Sequence, residues 1–256
     1  MCAELRILCR WVAPGAASLC LSACGQGFSS SADKEPGIPM EGLMLWLQAD
    51  RDVMQVNGGV SLWRDQSGNH KDAVQSVSDA RPSLAAAGIG NRPSVQFDGV
   101  DDFLKVPTGF ADFTQGLSVF ATVQIQPVSF CDAIVELSNG IEMDDINLGQ
   151  AQNQIHYEVF DRYFDGDLVP TGASELIEVV HHPNLMFEMR LNGTLAGEGS
   201  SDLPANVPRQ QNFLGKSLYA ECGPFSGQLS ELILYGREVY ETELLKIEDH
   251  MRAHSA

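Results

Sequence analysis

The feature that most restricts this chain is an alternation of apolar and polar residues with a period of two, repeated in segment after segment beyond Gly42. In LSVFATVQIQ, Leu117, Val119, Ala121, Val123 and Ile125 share one face, while Ser118, Thr122, Gln124 and Gln126 share the other. Successive side chains on a strand point to opposite faces, so such a run makes a strand with one dry side and one wet side. The same holds for QIHYEVF, where Ile155, Tyr157 and Val159 point together, and for LMFEMRL, where Leu185, Phe187, Met189 and Leu191 do. Asn139-Gly140, Asp165-Gly166 and Asn192-Gly193 stand between these runs at positions suited to hairpin turns. Strands with one apolar face each must bury those faces against one another, which predicts an all-β, two-sheet antiparallel sandwich. Only the end departs from the pattern. In VYETELLKIEDHMRAHS, Leu244, Ile247 and Met251 recur at helical spacing, predicting a short amphipathic C-terminal helix across the sandwich.

A length of 256 residues is ordinary for one all-β domain carrying a leader, and there is neither an internal repeat nor a second linker. The chain has 34 acidic and 16 basic residues, a formal charge of -18, and no basic cluster, which argues against a nucleic-acid partner. Its 44% hydrophobic content argues for a folded core rather than an acidic disordered chain.

The first residues are a different kind of sequence. Residues 1–23, MCAELRILCRWVAPGAASLCLSA, carry Arg6 and Arg10, then an uncharged stretch, then small residues, which is the layout of a secretory signal too short to cross a membrane as a helix. Leu21-Ser22-Ala23-Cys24 resembles the lipobox of bacterial lipoproteins, and the resemblance implies cleavage before Cys24 and lipidation of its thiol. An ordinary secretory signal with an incidental Cys24 is the other reading. Residues 24–41 are rich in Gly, Ser and Pro and read as a tether, leaving 42–256 as the domain. Gly25 rather than Asp after the cysteine points, by the sorting rule of that family, to the outer membrane. Once the leader and Cys24 are set aside, Cys131 and Cys222 remain as one pair in an oxidising compartment. A disulfide between them is expected, with two buried free thiols as the alternative.

Five segments in order carry a resemblance over roughly residues 42–254: GLMLWLQAD, VSLWRDQSGNHKDAVQ, RPSVQFDGVDDFLKV, MFEMRLNGTLAG and FSGQLSELILYGREVYETELLKIEDHM. Together they are similar to bacterial laminin G-like domains, which implies a concanavalin A-like jelly roll. Such domains mostly bind carbohydrate or protein, often with calcium at a loop edge. The resemblance therefore implies a binding module rather than an enzyme, with carbohydrate or an extracellular or envelope protein as partner and the membrane reached through the lipid anchor.

Three stretches invite chemistry. SVQFDGVDDFL sets Asp98, Asp101 and Asp102 around Gly99 between two short apolar runs. Asp-Gly is a turn between strands, and the three carboxylates are also a candidate calcium site. FDRYFDGD, residues 160–167, reads as a hairpin loop in which Arg162, Tyr163, Phe164 and Asp165 are candidates for holding a sugar, or else fold onto the core. GIEMDDIN approaches the strand motif of retaining β-glucanases on this fold, Glu142 and Asp144 matching its first two carboxylates. The third position holds Ile146 or Asn147, and Asp145 would face the other side of a regular strand, so no catalytic residue is assigned. His181 and His182 are strand neighbours facing opposite ways, and no Gly-x-Ser-x-Gly, His-Glu-x-x-His or phosphate-binding glycine loop is present.

Overall fold

The structure, a computed structural model, describes residues 37–253 apart from residue 161. Its strands are β1 (Leu43–Gln48), β2 (Val53–Val56), β3 (Gly59–Trp63), β4 (Ala73–Val74), β5 (Ser83–Ala85), β6 (Ser94–Asp98), β7 (Leu104–Val106), β8 (Leu117–Ile125), β9 (Cys131–Ser138), β10 (Ile146–Ala151), β11 (Gln154–Val159), β12 (Arg162–Leu168), β13 (Ser174–His181), β14 (Met186–Leu191), β15 (Thr194–Ser200), β16 (Gln211–Leu214) and β17 (Ser226–Tyr235). Helix α1 (Glu241–Ala253) follows. The paired strands run antiparallel in two layers, as the alternation predicts. The back layer runs β15-β14-β13-β8-β17, with β1 and β6 sharing the far edge of β17. The front layer runs β12-β11-β10-β9-β16-β7-β4-β3-β2, and β5 joins the layers by pairing with both β6 and β3.

The period-two faces meet between the layers. Leu117, Val119, Ala121, Val123 and Ile125 of β8 and Phe187 and Met189 of β14 bury against Ile155, Tyr157 and Val159 of β11 and Ile134 of β9. Full burial of each such side chain stabilises the fold by about 1.5–3 kcal/mol. Leu185 departs from its expected face: it lies outside β14 in a turn, with φ 73° and its side chain exposed.

The far face of the back layer is not wet. Helix α1 covers it, and Leu244, Ile247 and Met251 pack on Trp46, Phe120, Leu176, Val180 and Ile233, so that Ser118 and Thr122 are buried too. Glu231 lies in this second core as a charge acceptor satisfied from two sides: Trp46 Nε1 donates to its Oε1 at 2.7 Å, and His250 Nε2 lies 2.8 Å from the same oxygen. The helix therefore takes over the face that the sequence pattern assigns to solvent, and only the front layer keeps an open polar face.

Packing also begins before Gly42. Ile38 is buried in the helix-side core, and the Tyr235 hydroxyl donates to the Pro39 carbonyl at 2.9 Å.

The hairpin signals divide. Asn192 and Gly193, with φ 53° and 81°, form the β14–β15 turn. Asp165-Gly166 is not a turn but the middle of β12, where Asp165 pairs with His156 of β11. The turn falls earlier, at Phe160, which takes φ 61°.

Candidate functional site

The outer face of β9, β10, β11 and β12 carries the side chains that alternation turns away from the sandwich core. Register sets them in rows. Glu136 stands opposite Asn147, Asn147 opposite Glu158, and Glu158 opposite Tyr163, so one row crosses four strands. In the next row His156 faces Asp165 across β11 and β12. The segment between β16 and β17 folds back onto this face. Its Leu218 amide donates to Glu136 Oε2 at 3.0 Å, and its Cys222 is joined to Cys131 at the start of β9 by a disulfide with Cα atoms 4.6 Å apart. The expected cystine is present, and it closes the rim of the site.

Around Tyr219 the chemistry is crowded. Its hydroxyl lies 3.0 Å from Asp145 Oδ2 and 2.9 Å from Glu158 Oε1. One hydroxyl has one proton to donate, so two ionised carboxylates are not both satisfied by it, and the arrangement holds best with one extra proton. Burial raises Asp145 to about 6, the Tyr219 bond opposing it and the negative charges of Glu158 and Asp144 adding to it. Burial likewise raises Glu136 to about 7, partly offset by the Leu218 amide. His156 sits between carboxylates, with Nδ1 2.8 Å from Asp165 and Nε2 3.8 Å from Glu158. Burial works to lower its pKa, and the bonds to Glu158 and Asp165 outweigh that and leave it raised. Arg209, fully buried, ties the floor from beneath: its Nε donates to the Asp144 carbonyl at 2.6 Å and its Nη1 to the Phe110 carbonyl at 2.9 Å.

These groups surround a pocket of about 390 Å³ whose walls include His156, Glu158, Tyr163, Asp165 and Tyr219. Phe130 and Tyr163 stand at its mouth, 61% and 69% exposed, and Tyr163 stacks on the His156 ring at 6.1 Å. Aromatic surface beside a few fixed polar groups on a rigid sheet is the make-up of a small-molecule site.

The four candidates of the FDRYFDGD stretch separate by strand alternation, because the stretch is β12 and not a loop. Tyr163 and Asp165 point into the pocket. Phe164 turns inward and packs on Phe187 with ring centroids 4.5 Å apart. Arg162 lies on that opposite side as well, in an adjoining shallow hollow with Phe160 and Asp202. The GIEMDDIN stretch is corrected too: its first residues form the turn between β9 and β10, where Glu142 and Asp144 take φ 56° and 60°. Glu142 reaches the pocket rim, Asp144 accepts from Asn139 Nδ2 at 2.9 Å, and the buried member is Asp145.

The sequence reading missed Glu136, Glu158 and Tyr219, and it set Asp145 aside as facing away from Asp144. The polar phase of QIHYEVF held the signal for Glu158, since His156 and Glu158 fall opposite the apolar Ile155, Tyr157 and Val159. At SVQFDGVDDFL the structure makes the expected corner, Gly99 taking φ 76° between β6 and β7. Carboxylate oxygens of Asp98, Asp101 and Asp102 lie within 4.8 Å of one another. Asp102 is raised to about 6 by burial and then by Asp98, whose amide bond to it pulls the other way. His181 and His182 face opposite ways as expected, His181 Nδ1 to the Tyr157 hydroxyl at 2.9 Å and His182 Nδ1 to Glu238 at 2.8 Å. Residues 1–23 and Cys24 lie outside the described residues.

The fold is an antiparallel β-sandwich of jelly-roll type with one C-terminal helix. No protein-family model matches the chain, and no curated protein does. Among solved structures it is similar to domain 4 of AbnA, an extracellular GH43 arabinanase from Geobacillus stearothermophilus, in complex with arabinotriose. The TM-score is 0.62 at 15% identity, over 81% of this chain and 97% of that one. It is also similar to Trypanosoma rangeli sialidase in complex with the inhibitor DANA, with TM-score 0.56 at 15% identity over 83% of this chain. There it spans only 33% of the sialidase chain. A third likeness is to the binding domain of Paraclostridial Mosquitocidal Protein 1, with TM-score 0.57 at 10% identity, over 83% of this chain and 53% of that one. At these identities the likenesses show the fold alone. They nevertheless correct the sequence reading of a non-enzyme, because glycoside hydrolases stand among the chains this fold matches.

Proposed function

We propose that the chain is a carbohydrate-binding β-sandwich module whose site is the pocket on the outer face of β9 to β12. The observation that carries the reading is the pocket itself: Tyr163, His156, Glu158 and Asp165 are set by strand register, and Tyr219 is clamped over them beside the disulfide. Aromatic faces stack on sugar rings while carboxylates accept from sugar hydroxyls, and both kinds of group line this pocket. That AbnA domain 4 was solved with arabinotriose supports the ligand class.

Calorimetry of the full chain with neutral, acidic and amino oligosaccharides tests it, with release of reducing ends followed in parallel. Binding of at least one class is expected, lost in Tyr163→Ala and Glu158→Gln. Binding untouched by both variants, or by none of the oligosaccharides, overturns the reading. Hydrolysis abolished by Glu158→Gln would extend it to a glycosidase.

Three further parts of the proposal rest on the sequence. The laminin G-like landmarks support that family as the origin of the sandwich. The lipobox-like LSAC supports display of the module from a membrane, the outer one by the Gly25 rule, through lipidated Cys24. Palmitate labelling lost in Cys24→Ser is the expected result, and an unlabelled protein refutes it. Hard carboxylate oxygens at Asp98, Asp101 and Asp102 fit calcium, which takes six to eight oxygen ligands and would need other donors beside them. A calcium-dependent rise in Tm is expected there.

A further inference from the structure

Resting on the carbohydrate reading above, we propose that this pocket selects sugars bearing a protonated amine, such as oligomers of glucosamine, over neutral N-acetylated sugars, and rejects sugars bearing a carboxylate. The wall of the pocket is acidic. Glu142, Glu158, Asp165 and Glu221 all line the pocket, and neither Lys nor Arg does. His156 is the single basic group among them, and both of its nitrogens are already directed at Asp165 and Glu158. Arg162 does not line the pocket but an adjoining hollow with Asp202, the two sharing Glu142 at the rim. An anionic sugar entering here would meet carboxylates, with neither Lys nor Arg among the described residues that line the pocket, and like-charge juxtaposition of that kind is how sites exclude the wrong ligand.

A second observation, independent of the acidic wall, shows that the floor is short of donors. Behind the lining residues, Glu136 and Asn147, 99% and 96% buried in the row that runs on to Glu158 and Tyr163, have Oε1 and Oδ1 respectively without a hydrogen-bond partner. Just in front of them the single proton of Tyr219 is divided between Asp145 and Glu158. Along this line acceptors outnumber the donors directed at them, which are the Leu218 amide and Asn147 Nδ2 at Glu136 and the Tyr219 hydroxyl at Asp145 and Glu158. An ammonium brings three donors and a full charge where a hydroxyl brings one donor and an acetamide brings one donor with a new acceptor. Phe130 and Tyr163 at the mouth, with Tyr219 within, offer ring faces that attract a cation as well as a sugar ring. No covalent step is involved.

The groups that face the pocket from each surrounding element set its pH dependence. They are Glu142 from the β9–β10 turn and His156 and Glu158 from β11, with Asp145 linked to Glu158 through the Tyr219 hydroxyl, Asp144 next to it in the chain, and Glu136 buried in the same row as Glu158. Asp165 faces it from β12, and Tyr219 and Glu221 from the segment after β16, with Arg209 beneath Asp144. Burial raises Glu136 and Asp145, so the floor becomes more anionic as pH rises through about 6 to 7. Affinity for an amine is therefore expected to climb over that interval and to fall once the amine itself loses its proton.

The test is calorimetry of the full chain with glucosamine, N-acetylglucosamine and galacturonate oligomers of equal length, across pH and salt. Glucosamine oligomers are expected to bind at least tenfold more tightly than the N-acetylated ones, with affinity reduced by added salt, and galacturonate oligomers not at all. The exposed rim variants Glu142→Gln and Glu221→Gln, which leave the floor intact, should narrow the preference several-fold. Equal or tighter binding of N-acetylglucosamine oligomers, still lost in Tyr163→Ala, overturns the amine inference and leaves the carbohydrate site standing. Binding of no oligomer, or binding indifferent to Tyr163→Ala and the rim variants, overturns both.

Discussion

Two regions of this molecule gather three carboxylates each, and they do so for opposite reasons. At the β6–β7 corner, Asp98, Asp101 and Asp102 are close in sequence, and the backbone beside them consumes their charge. Asp98 Oδ1 accepts from the amides of Val100 and Asp101, and Asp102 Oδ2 accepts from the Asp98 amide. Beside the pocket, Glu136, Asp145 and Glu158 come from three separate strands or turns, and what faces them is one tyrosine hydroxyl, one loop amide, the Asn147 side chain and the more distant His156 ring. A carboxylate cluster that is local in sequence is mostly solved locally, by the turn it forms. A cluster assembled from distant residues is left under-satisfied, and under-satisfied acceptors are what a ligand can use.

The comparison breaks most visibly at the disulfide. Replacing Cys131 and Cys222 by Ser opens a loop of 91 residues, and a loss of about 4 kcal/mol in urea unfolding is expected. Because Tyr219 and Glu221 lie just before Cys222, sugar binding should fall with it while the corner keeps its structure. Binding retained in the double variant would separate the clamp from the site.

The pH response sharpens the contrast further. Glu136 and Asp145 have folded values of about 7 and about 6, above their ordinary 4.5 and 3.8, so the folded state holds their protons more tightly than the unfolded one. Their contribution is fully present below about pH 4 and is lost as pH rises through about 7. Glu136→Gln removes part of that loss and is expected to gain about 1–2 kcal/mol over the parent at pH 8, and little at pH 4. Thermal unfolding at the two pH values reads the difference directly.

At the corner the backbone, not the charge, is the weak point. Gly99 takes φ 76°, and a Cβ there would stand 2.7 Å from the Ser226 Cβ and 2.9 Å from Val128 Cγ2. Gly99→Ala should cost about 1–2 kcal/mol, seen as a lowered Tm. Asp101→Asn, at an exposed position, should change stability by less than about 0.5 kcal/mol without calcium. Loss of a calcium-dependent Tm rise in that variant would move the corner from turn to ion site.

Much of this was legible in the residues. Alternation placed the inward faces of β8, β11 and β14, the Asn192-Gly193 turn, and the helical spacing of Leu244, Ile247 and Met251. It failed where a third layer intervened, because Ser118 and Thr122 look solvent-facing in a strand pattern and only the docked helix makes their face a second core. It failed at FDRYFDGD because Asp-Gly signals a turn on local grounds, whereas pairing of Asp165 with His156 carries the stretch through as an edge strand.

Residue order alone was enough for a β-sandwich with a C-terminal helix and a corner at Asp98-Gly99, since period and turn chemistry are local properties, whereas Cys131 and Cys222 were left either bridged or free until the fold brought them together. Only the tertiary structure decided the site. Glu136, Asp145, Glu158 and Tyr219 are up to 83 positions apart along the chain, and no spacing rule links them. They meet because strand register lines three elements into a row and a disulfide-held segment folds one hydroxyl over it, and register is a property of pairing that no single strand contains.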